Sequence, residues 1–206
     1  MPRTRMIFAA VAAIVAGLGG WWALSVPEPD RFDQCRPGPR PPGLDKIGGP
    51  FTLVSETGET VTERDVVTGP SLLYFGYSFC PDVCPLDNTR NAQATYLLDE
   101  RGVGVTPVFI SVDPDRDTPE LMEEFTEYMH PRMIGLTGTP KQVQAASRAY
   151  RTFYKVRDPE DEFYLIDHST FTYLVFPGLG VVDYFERDVG PEDMADRVEC
   201  YIRAVN

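Results

Sequence analysis

The chain has 206 residues, of which 43% are hydrophobic, and its formal net charge is -12 at pH 7. A chain of this length suits one globular domain with a short appendage, and the hydrophobic share is sufficient for a sizeable core. The negative charge argues against nucleic-acid binding, because contact with a phosphate backbone requires a basic face.

The N-terminal residues 1–26 predict a membrane anchor, because Arg3 and Arg5 precede an uncharged run from Met6 to Val26. A helix needs about 20 apolar residues to cross a bilayer, and the two arginines favour a cytoplasmic N-terminus. A cleaved signal peptide is the alternative, but the stretch GLGGWWALS after the apolar region offers no clean A-x-A cleavage pattern. Under either interpretation the rest of the chain is expected to be exported.

Residues 27–49 are dense in proline and glycine. Proline favours extended chain and opposes helix. We interpret this stretch as a semi-rigid tether that joins the anchor to a globular domain formed by residues 50–206.

The globular part predicts strands that alternate with helices. In chain order we expect a hairpin at 51–66, a buried strand at 71–79, a helix at 86–102, a strand at 105–113, a helix at 117–130, a short strand at 133–138, a helix at 139–156, strands within 163–188 and a helix at 190–205. The pairs Thr118-Pro119 and Thr139-Pro140 are typical helix starts. This alternation predicts a layered α/β domain with a largely parallel central sheet.

Two of the four cysteines, Cys80 and Cys84, lie where a buried strand gives way to a helix. Pro85 fits the first turn of that helix, since proline further inside would break it. The helix dipole lowers the pKa of a cysteine at this position. Thiolate is the form that attacks disulfides and binds metals, so the pair predicts a redox or metal site rather than two inert thiols.

The chain has two histidines. His130 ends a helix before a proline, and we interpret it as a helix-end cation or a surface residue. His168 precedes a strongly apolar strand. If that strand lies beside residues 71–79 in the sheet, His168 can face the cysteine loop.

Three stretches, FGYSFCPDVCP, FISVDPDRDTPE and YLIDHSTFTYLVF, resemble the signature blocks of the Sco/SenC family in order and spacing. The resemblance runs from about Gly43 to the C-terminus. It implies a thioredoxin-like (peroxiredoxin-like) sandwich, with a central mixed sheet flanked by helices. Members are membrane-tethered copper proteins that help to assemble the copper A site in subunit II of cytochrome c oxidase.

Carried over by motif, the resemblance implies that Cys80 and Cys84 are copper thiolates and that His168 is the third ligand. It places Asp113 at a supporting position near the site. A strand-end turn made by Asp113-Pro114 is an equally weighted interpretation of that residue.

Ligand chemistry agrees with copper, as Cu(I), Cu(II) or both. Cu(I) is soft and prefers thiolate, with imidazole also acceptable. A structural zinc site usually takes four protein ligands, and this chain offers three convincing ones. Together with this chemistry, the resemblance implies that the protein is a copper metallochaperone.

The same dithiol supports a second hypothesis, a thiol–disulfide oxidoreductase that reduces the cysteines of a target's copper site, or a redox sensor. Enzyme activity is therefore expected only if the dithiol acts in thiol–disulfide exchange. A peroxidase is disfavoured, because the threonine and proline of the peroxiredoxin motif are replaced by Tyr77 and Leu73.

Cys35 and Cys200 are candidates for a structural disulfide that fastens the tether to the domain. A free thiol and an intermolecular bridge are the alternatives, because pairing cannot be read from sequence alone.

The expected location is a bacterial inner membrane, crossed once by the N-terminal helix, with the globular domain in the periplasm. The expected partners are cytochrome c oxidase subunit II and an upstream copper donor.

Overall fold

A seven-stranded mixed sheet organises the part of the chain that this computed structural model describes, residues 30–205. The strands are β1 (Thr52–Ser55), β2 (Thr60–Thr62), β3 (Ser71–Gly76), β4 (Thr106–Ser111), β5 (Ile134–Thr137), β6 (Tyr154–Val156), β7 (Ile166–His168), β8 (Thr172–Phe176) and β9 (Gly180–Phe185). The helices are α1 (Glu63–Val66), α2 (Val83–Glu100), α3 (Pro119–Met129), α4 (Pro140–Ala149) and α5 (Pro191–Val205), with short 3-10 turns at Asp33–Cys35 and Leu44–Lys46.

The strand order in this sheet is β2-β1-β5-β4-β3-β8-β9. The pairs β3–β4 and β4–β5 are parallel, and the other neighbours are antiparallel. The expectation of a largely parallel sheet was therefore wrong, whereas the mixed sheet flanked by helices is confirmed. Parallel pairing needs a long crossover, and within this sheet the chain provides one through α2 and another through α3.

Strands β3 and β8 form the most deeply buried part of the sheet. Every residue of Ser71–Gly76 and of Thr172–Phe176 is buried, which requires cover on both faces of the sheet. Helices α2 and α5 pack against each other, while α3 and α4 contact the β1 side of the sheet. The predicted apolar strand after His168 does lie beside β3, as β8.

The helix starts follow the capping signals in the sequence. The Thr118 hydroxyl accepts a hydrogen bond from the Leu121 amide, and the Thr139 hydroxyl accepts one from the Gln142 amide. Each threonine is followed by a proline in the first helical turn, so both predicted starts are confirmed. The end of the second helix differs from the expectation. Arg151 has a φ of 53° just after α4, and residues 154–156 form β6 instead of more helix.

His130 does end helix α3, as the sequence predicted, but it is buried, so the interpretation of it as a surface residue was wrong. Its side chain is 1% exposed, and its ring centroid lies 4.3 Å from that of Tyr96 on α2. Burial lowers the pKa of His130, and the charge of Arg132 adds to that effect. Both effects favour the neutral form at a position where the sequence suggested a cation.

The predicted tether is described from residue 30 onward. Within residues 30–34, the Asp33 amide donates to the Asp30 carbonyl. Within the following segment, Leu44 is 1% exposed and belongs to the hydrophobic core. In the described range, 30–205, we find no helix with the length and apolar character to cross a membrane. The predicted anchor, residues 1–26, lies outside that range, and the division into anchor, tether and domain stays a prediction.

Candidate metal centre

The loop after β3 carries both free cysteines. The Cys80 amide donates to the Tyr77 carbonyl over 3.3 Å and closes a turn. Helix α2 then begins at Val83, which places Cys84 and Pro85 in its first turn. The Cys84 amide points to the Cys80 sulfur, with N and Sγ 3.4 Å apart. A helix N-terminus that favours negative charge thus faces the first cysteine, as the sequence predicted.

His168 reaches the cysteines from a two-stranded hairpin outside the main sheet. We call residues 154–168 the histidine arm; it consists of β6, β7 and their connection, with Tyr154 paired to His168. His168 Nε2 lies 3.1 Å from Cys84 Sγ. The ligand atoms of Cys80, Cys84 and His168 all lie within 4.8 Å of one another. The structure therefore brings together the three ligand candidates from the sequence.

A hydrogen bond at Nδ1, the second ring nitrogen of His168, sets the orientation of the imidazole ring. Nδ1 lies 2.9 Å from the Ser169 carbonyl oxygen. A carbonyl only accepts hydrogen bonds, so Nδ1 carries a proton, and Nε2 is the ring nitrogen that faces the cysteines. Metal-binding histidines usually hold their other N–H in this way. The group is therefore oriented for metal binding.

The two cysteines have opposite protonation tendencies. A hydrogen bond from Cys84 lowers the pKa of the Cys80 thiol, and hydrogen bonds from His168 and from backbone amides act in the same direction. The hydrogen bond to Cys80 and burial both raise the pKa of the Cys84 thiol. Cys80 is 8% exposed and Cys84 is fully buried. Cys80 is thus the more readily formed thiolate, whereas Cys84 retains its proton until a cation or a disulfide replaces it.

Tyr77 ties the cysteine loop to the histidine arm. Its hydroxyl accepts a hydrogen bond from the Ile166 amide at 3.2 Å. Its ring meets the His168 ring edge-on, with centroids 5.8 Å apart. Sequence reasoning considered Tyr77 only as a replacement for a peroxidase threonine, because nothing in the sequence showed that the arm folds against it.

Asp113 is buried just after β4, where it forms the strand-end turn that one of its two sequence interpretations predicted. Its carbonyl accepts the amides of Arg116 and Asp117, which is a strand-end turn. Its carboxylate accepts the Tyr164 hydroxyl at 2.6 Å and forms an ion pair with Arg116 Nε at 2.5 Å. The Arg116 guanidinium also lies 3.6 Å from the centroid of the Tyr164 ring. Asp113 is thus connected to the site through the arm that carries His168.

Gly76 makes room for Cys84. A Cβ atom at position 76 would lie 2.9 Å from Cys84 Sγ and 2.8 Å from Tyr74 Cε1. Real Cβ atoms essentially never come so close to other heavy atoms. This role could not be predicted from the sequence, because Gly76 is the last residue of the fully buried strand β3, where a small residue has no periodic signature.

Cys35 and Cys200 are joined by a disulfide bond in the structure, with S–S at 1.98 Å. The bond connects the segment before the sheet to α5. Neither sulfur contributes to the group of Cys80, Cys84 and His168.

Two sulfurs and one imidazole nitrogen are a donor set that suits soft Cu(I). Three ligands also leave a coordination position for a donor from another molecule. A closed structural zinc site would require a fourth protein ligand.

Comparison with known proteins identifies relatives over most of the chain. A family model described as SCO1/SenC matches residues 39–203. Protein SenC of Rhodobacter capsulatus is 57% identical over 196 residues, which cover 95% of this chain and 88% of the relative.

Solved structures give the same result. Arabidopsis thaliana ScoI with copper bound is similar with a TM-score of 0.72 and 38% identity, over 76% of this chain and 99% of that one. Yeast Sco1 with copper bound has a TM-score of 0.70 and 34% identity, over 77% of this chain and 89% of that one.

Proposed function

The chain belongs to the SCO1/SenC family, and on that premise we propose that it is a copper metallochaperone whose cargo binds to Cys80, Cys84 and His168. The observation that carries the proposal is the convergence of the three ligand atoms within 4.8 Å. The copper bound to the related Arabidopsis and yeast proteins supports the choice of metal.

Binding and release follow from the protonation of the site. Loading displaces the proton of Cys84, while Cys80 already favours the thiolate form. His168 contributes Nε2, while Nδ1 keeps its hydrogen bond to the Ser169 carbonyl. A low coordination number lets a partner's thiolate or imidazole bind before one of these ligands leaves.

The proposed recipient is the copper A site of cytochrome c oxidase subunit II, as the family resemblance implies. In the same proposal, an upstream donor loads the protein, the N-terminal segment anchors it in a bacterial inner membrane, and the domain acts in the periplasm. The run from Met6 to Val26 supports the membrane part of this proposal.

Copper transfer tests the function. Copper-loaded full-length protein is mixed with a metal-free subunit II fragment, and the copper in each protein is measured after separation. We expect copper to appear in the fragment and to fall in the donor. The His168→Ala variant binds copper more weakly, and it should deliver less copper to the fragment than a solution in which free copper is buffered at the same concentration. Retention of all copper by the wild-type donor would contradict the proposal.

Thiol–disulfide exchange is a second candidate, favoured by the thiolate tendency of Cys80 beside the protonated Cys84. Cys80 would attack a target disulfide, and Cys84 would then displace the target thiol from the mixed disulfide. The target gains two electrons and two protons, and this protein retains a Cys80–Cys84 disulfide. Incubation of the reduced protein with an oxidised copper A domain, followed by thiol counting on both, tests the exchange; unchanged counts would exclude it.

A further inference from the structure

Asp117 is a fully buried carboxylate at the end of the two central parallel strands. Its oxygens accept hydrogen bonds from the Ser78 amide at 3.1 Å, from the Ser78 hydroxyl, and from the Ser111 hydroxyl at 2.5 Å. Its own carbonyl accepts the Thr137 hydroxyl at 2.7 Å, which holds its backbone to β5. The donors to the carboxylate thus come from two different strand ends.

Such a group is expensive to bury, and the site chemistry described above does not use it. Burial raises the pKa of Asp117, while the hydrogen bonds from Ser111 and Ser78 lower it. A carboxyl group has two oxygens and can accept several hydrogen bonds at once. Asp117 uses this capacity to hold both the amide and the hydroxyl of one residue, Ser78.

Ser78 lies inside the turn that presents the first cysteine. That turn is closed by the hydrogen bond from the Cys80 amide to the Tyr77 carbonyl. The next sulfur along the chain, that of Cys84, is confined by helix α2 and by its close approach to Gly76. The turn around Ser78 therefore determines where the Cys80 sulfur lies relative to its partners.

We propose that Asp117 is a positioning residue that fixes Cys80 by binding Ser78 to the ends of β3 and β4. The inference deepens the proposed function, since it concerns the same dithiol. The hydrogen bonds between Asp117 and Ser78 keep the sulfurs of Cys80 and Cys84 unbonded and available to a shared ion. A disulfide requires the two sulfurs to lie about 2.05 Å apart. The loop that carries Ser78 and Cys80 must therefore move against its hydrogen bonds to Asp117 when the disulfide forms.

Loss of the hydrogen bonds between Asp117 and Ser78 should therefore favour the disulfide between Cys80 and Cys84. The reaction to be measured is protein dithiol plus oxidised glutathione giving protein disulfide plus two reduced glutathione molecules. In Asp117→Ala we expect its equilibrium constant to rise about tenfold, equivalent to a reduction potential about 30 mV more negative. In Asp117→Asn the remaining amide oxygen can still accept the Ser78 amide, and we expect a change of no more than about threefold.

The experiment uses the metal-free full-length protein in glutathione buffers, with differential alkylation and mass spectrometry of the peptides that contain Cys80 and Cys84. Asp183→Ala is the matched control, because Asp183 is also a buried carboxylate but bonds to Tyr201 and Arg197. It should leave the potential unchanged. Ser78→Ala removes one donor and should shift the equilibrium about threefold in the same direction as Asp117→Ala.

A folded Asp117→Ala with an unchanged potential would overturn the inference. If that variant does not fold, an unchanged potential in Ser78→Ala overturns it equally, as does an equal shift in Asp183→Ala. Because no copper is present, a failure of the wild type to bind or transfer copper would refute the proposed function and leave this measurement intact.

Discussion

At the residue scale, the cysteine pair divides its chemistry between two unlike sulfurs. Cys80 accepts hydrogen bonds from its surroundings, whereas Cys84 is enclosed by the sheet and by Gly76. A metal site needs thiolates, so one ligand is already in the right state and the other is activated by the ion itself. This asymmetry leads to two predictions.

The first prediction concerns the pH dependence of alkylation at Cys80. The lowered pKa means that the thiolate is present well below pH 8.5, the ordinary cysteine value, and is lost only as the pH falls through the lowered value. Iodoacetamide labelling of the metal-free protein should therefore keep its rate from neutral pH into the acidic range. In Cys84→Ala the midpoint should rise, since the main hydrogen-bond donor is lost. A wild-type midpoint near the ordinary value would contradict this prediction.

The second prediction concerns Gly76. In Gly76→Ala the new methyl group meets the Cys84 sulfur and the Tyr74 ring, and we expect a loss of stability of about 1–3 kcal/mol. Displacement of the sulfur should also lower copper affinity, measured by competition with a chelator. Gly104→Ala is the matched control, because an added Cβ there meets no heavy atom within 4 Å. Equal copper affinity in both variants would show that Gly76 does not shape the site.

The ligand candidates were predictable from sequence because thiol and imidazole groups are rare in this chain and their chemistry is specific. The residues that hold them were not. Gly76 acts through the close approach of Cys84, and Asp117 acts through Ser78, which lies 39 positions earlier in the chain. Neither contact leaves a local sequence pattern. Reasoning from sequence selected Asp113 from the stretch that contains both aspartates, whereas Asp117 makes the direct contact with the cysteine loop.

At the scale of elements, the histidine arm is the part of the site that depends most on side-chain contacts. The arm pairs β6 with β7 outside the main sheet. Its tyrosine, Tyr164, bonds to Asp113 and stacks on Arg116. The sequence predicted a strand around His168 but not this hairpin, because β6 lies in a stretch that reads as the end of a helix.

A weaker attachment of the histidine arm should speed copper dissociation more than it lowers the free energy of unfolding. Tyr164→Phe removes the hydrogen bond to Asp113, at a cost of about 1 kcal/mol in unfolding free energy. We expect copper to dissociate several-fold faster into a chelator, measured by stopped flow. Tyr128→Phe serves as control, since Tyr128 is 87% exposed on α3. Identical dissociation rates in the two variants would exclude a role for the Tyr164–Asp113 hydrogen bond in copper retention.

At the scale of the whole molecule, the Cys35–Cys200 disulfide closes most of the described chain into one loop. The two residues are 165 positions apart. In the chain-entropy model, a cross-link over such a loop stabilises the folded state by about 5 kcal/mol, because it restricts the unfolded chain. The sequence suggested that Cys35 and Cys200 pair but could not exclude the alternatives, since pairing depends on how the segment around Cys35 packs against α5.

The double variant Cys35→Ser, Cys200→Ser should therefore lose about 2–5 kcal/mol of unfolding free energy in urea titration. Its copper stoichiometry should stay unchanged, because none of the three ligand atoms belongs to that pair. A variant as stable as the wild type would show that the disulfide does not stabilise the fold.

X-ray absorption at the copper edge measures directly whether two sulfurs and one imidazole share a single ion. For the copper-loaded wild type we predict two sulfur neighbours and one nitrogen neighbour, with the nitrogen lost in His168→Ala and both sulfurs retained. Identical spectra for the two proteins, or a wild-type ion without two sulfur neighbours, would contradict the account.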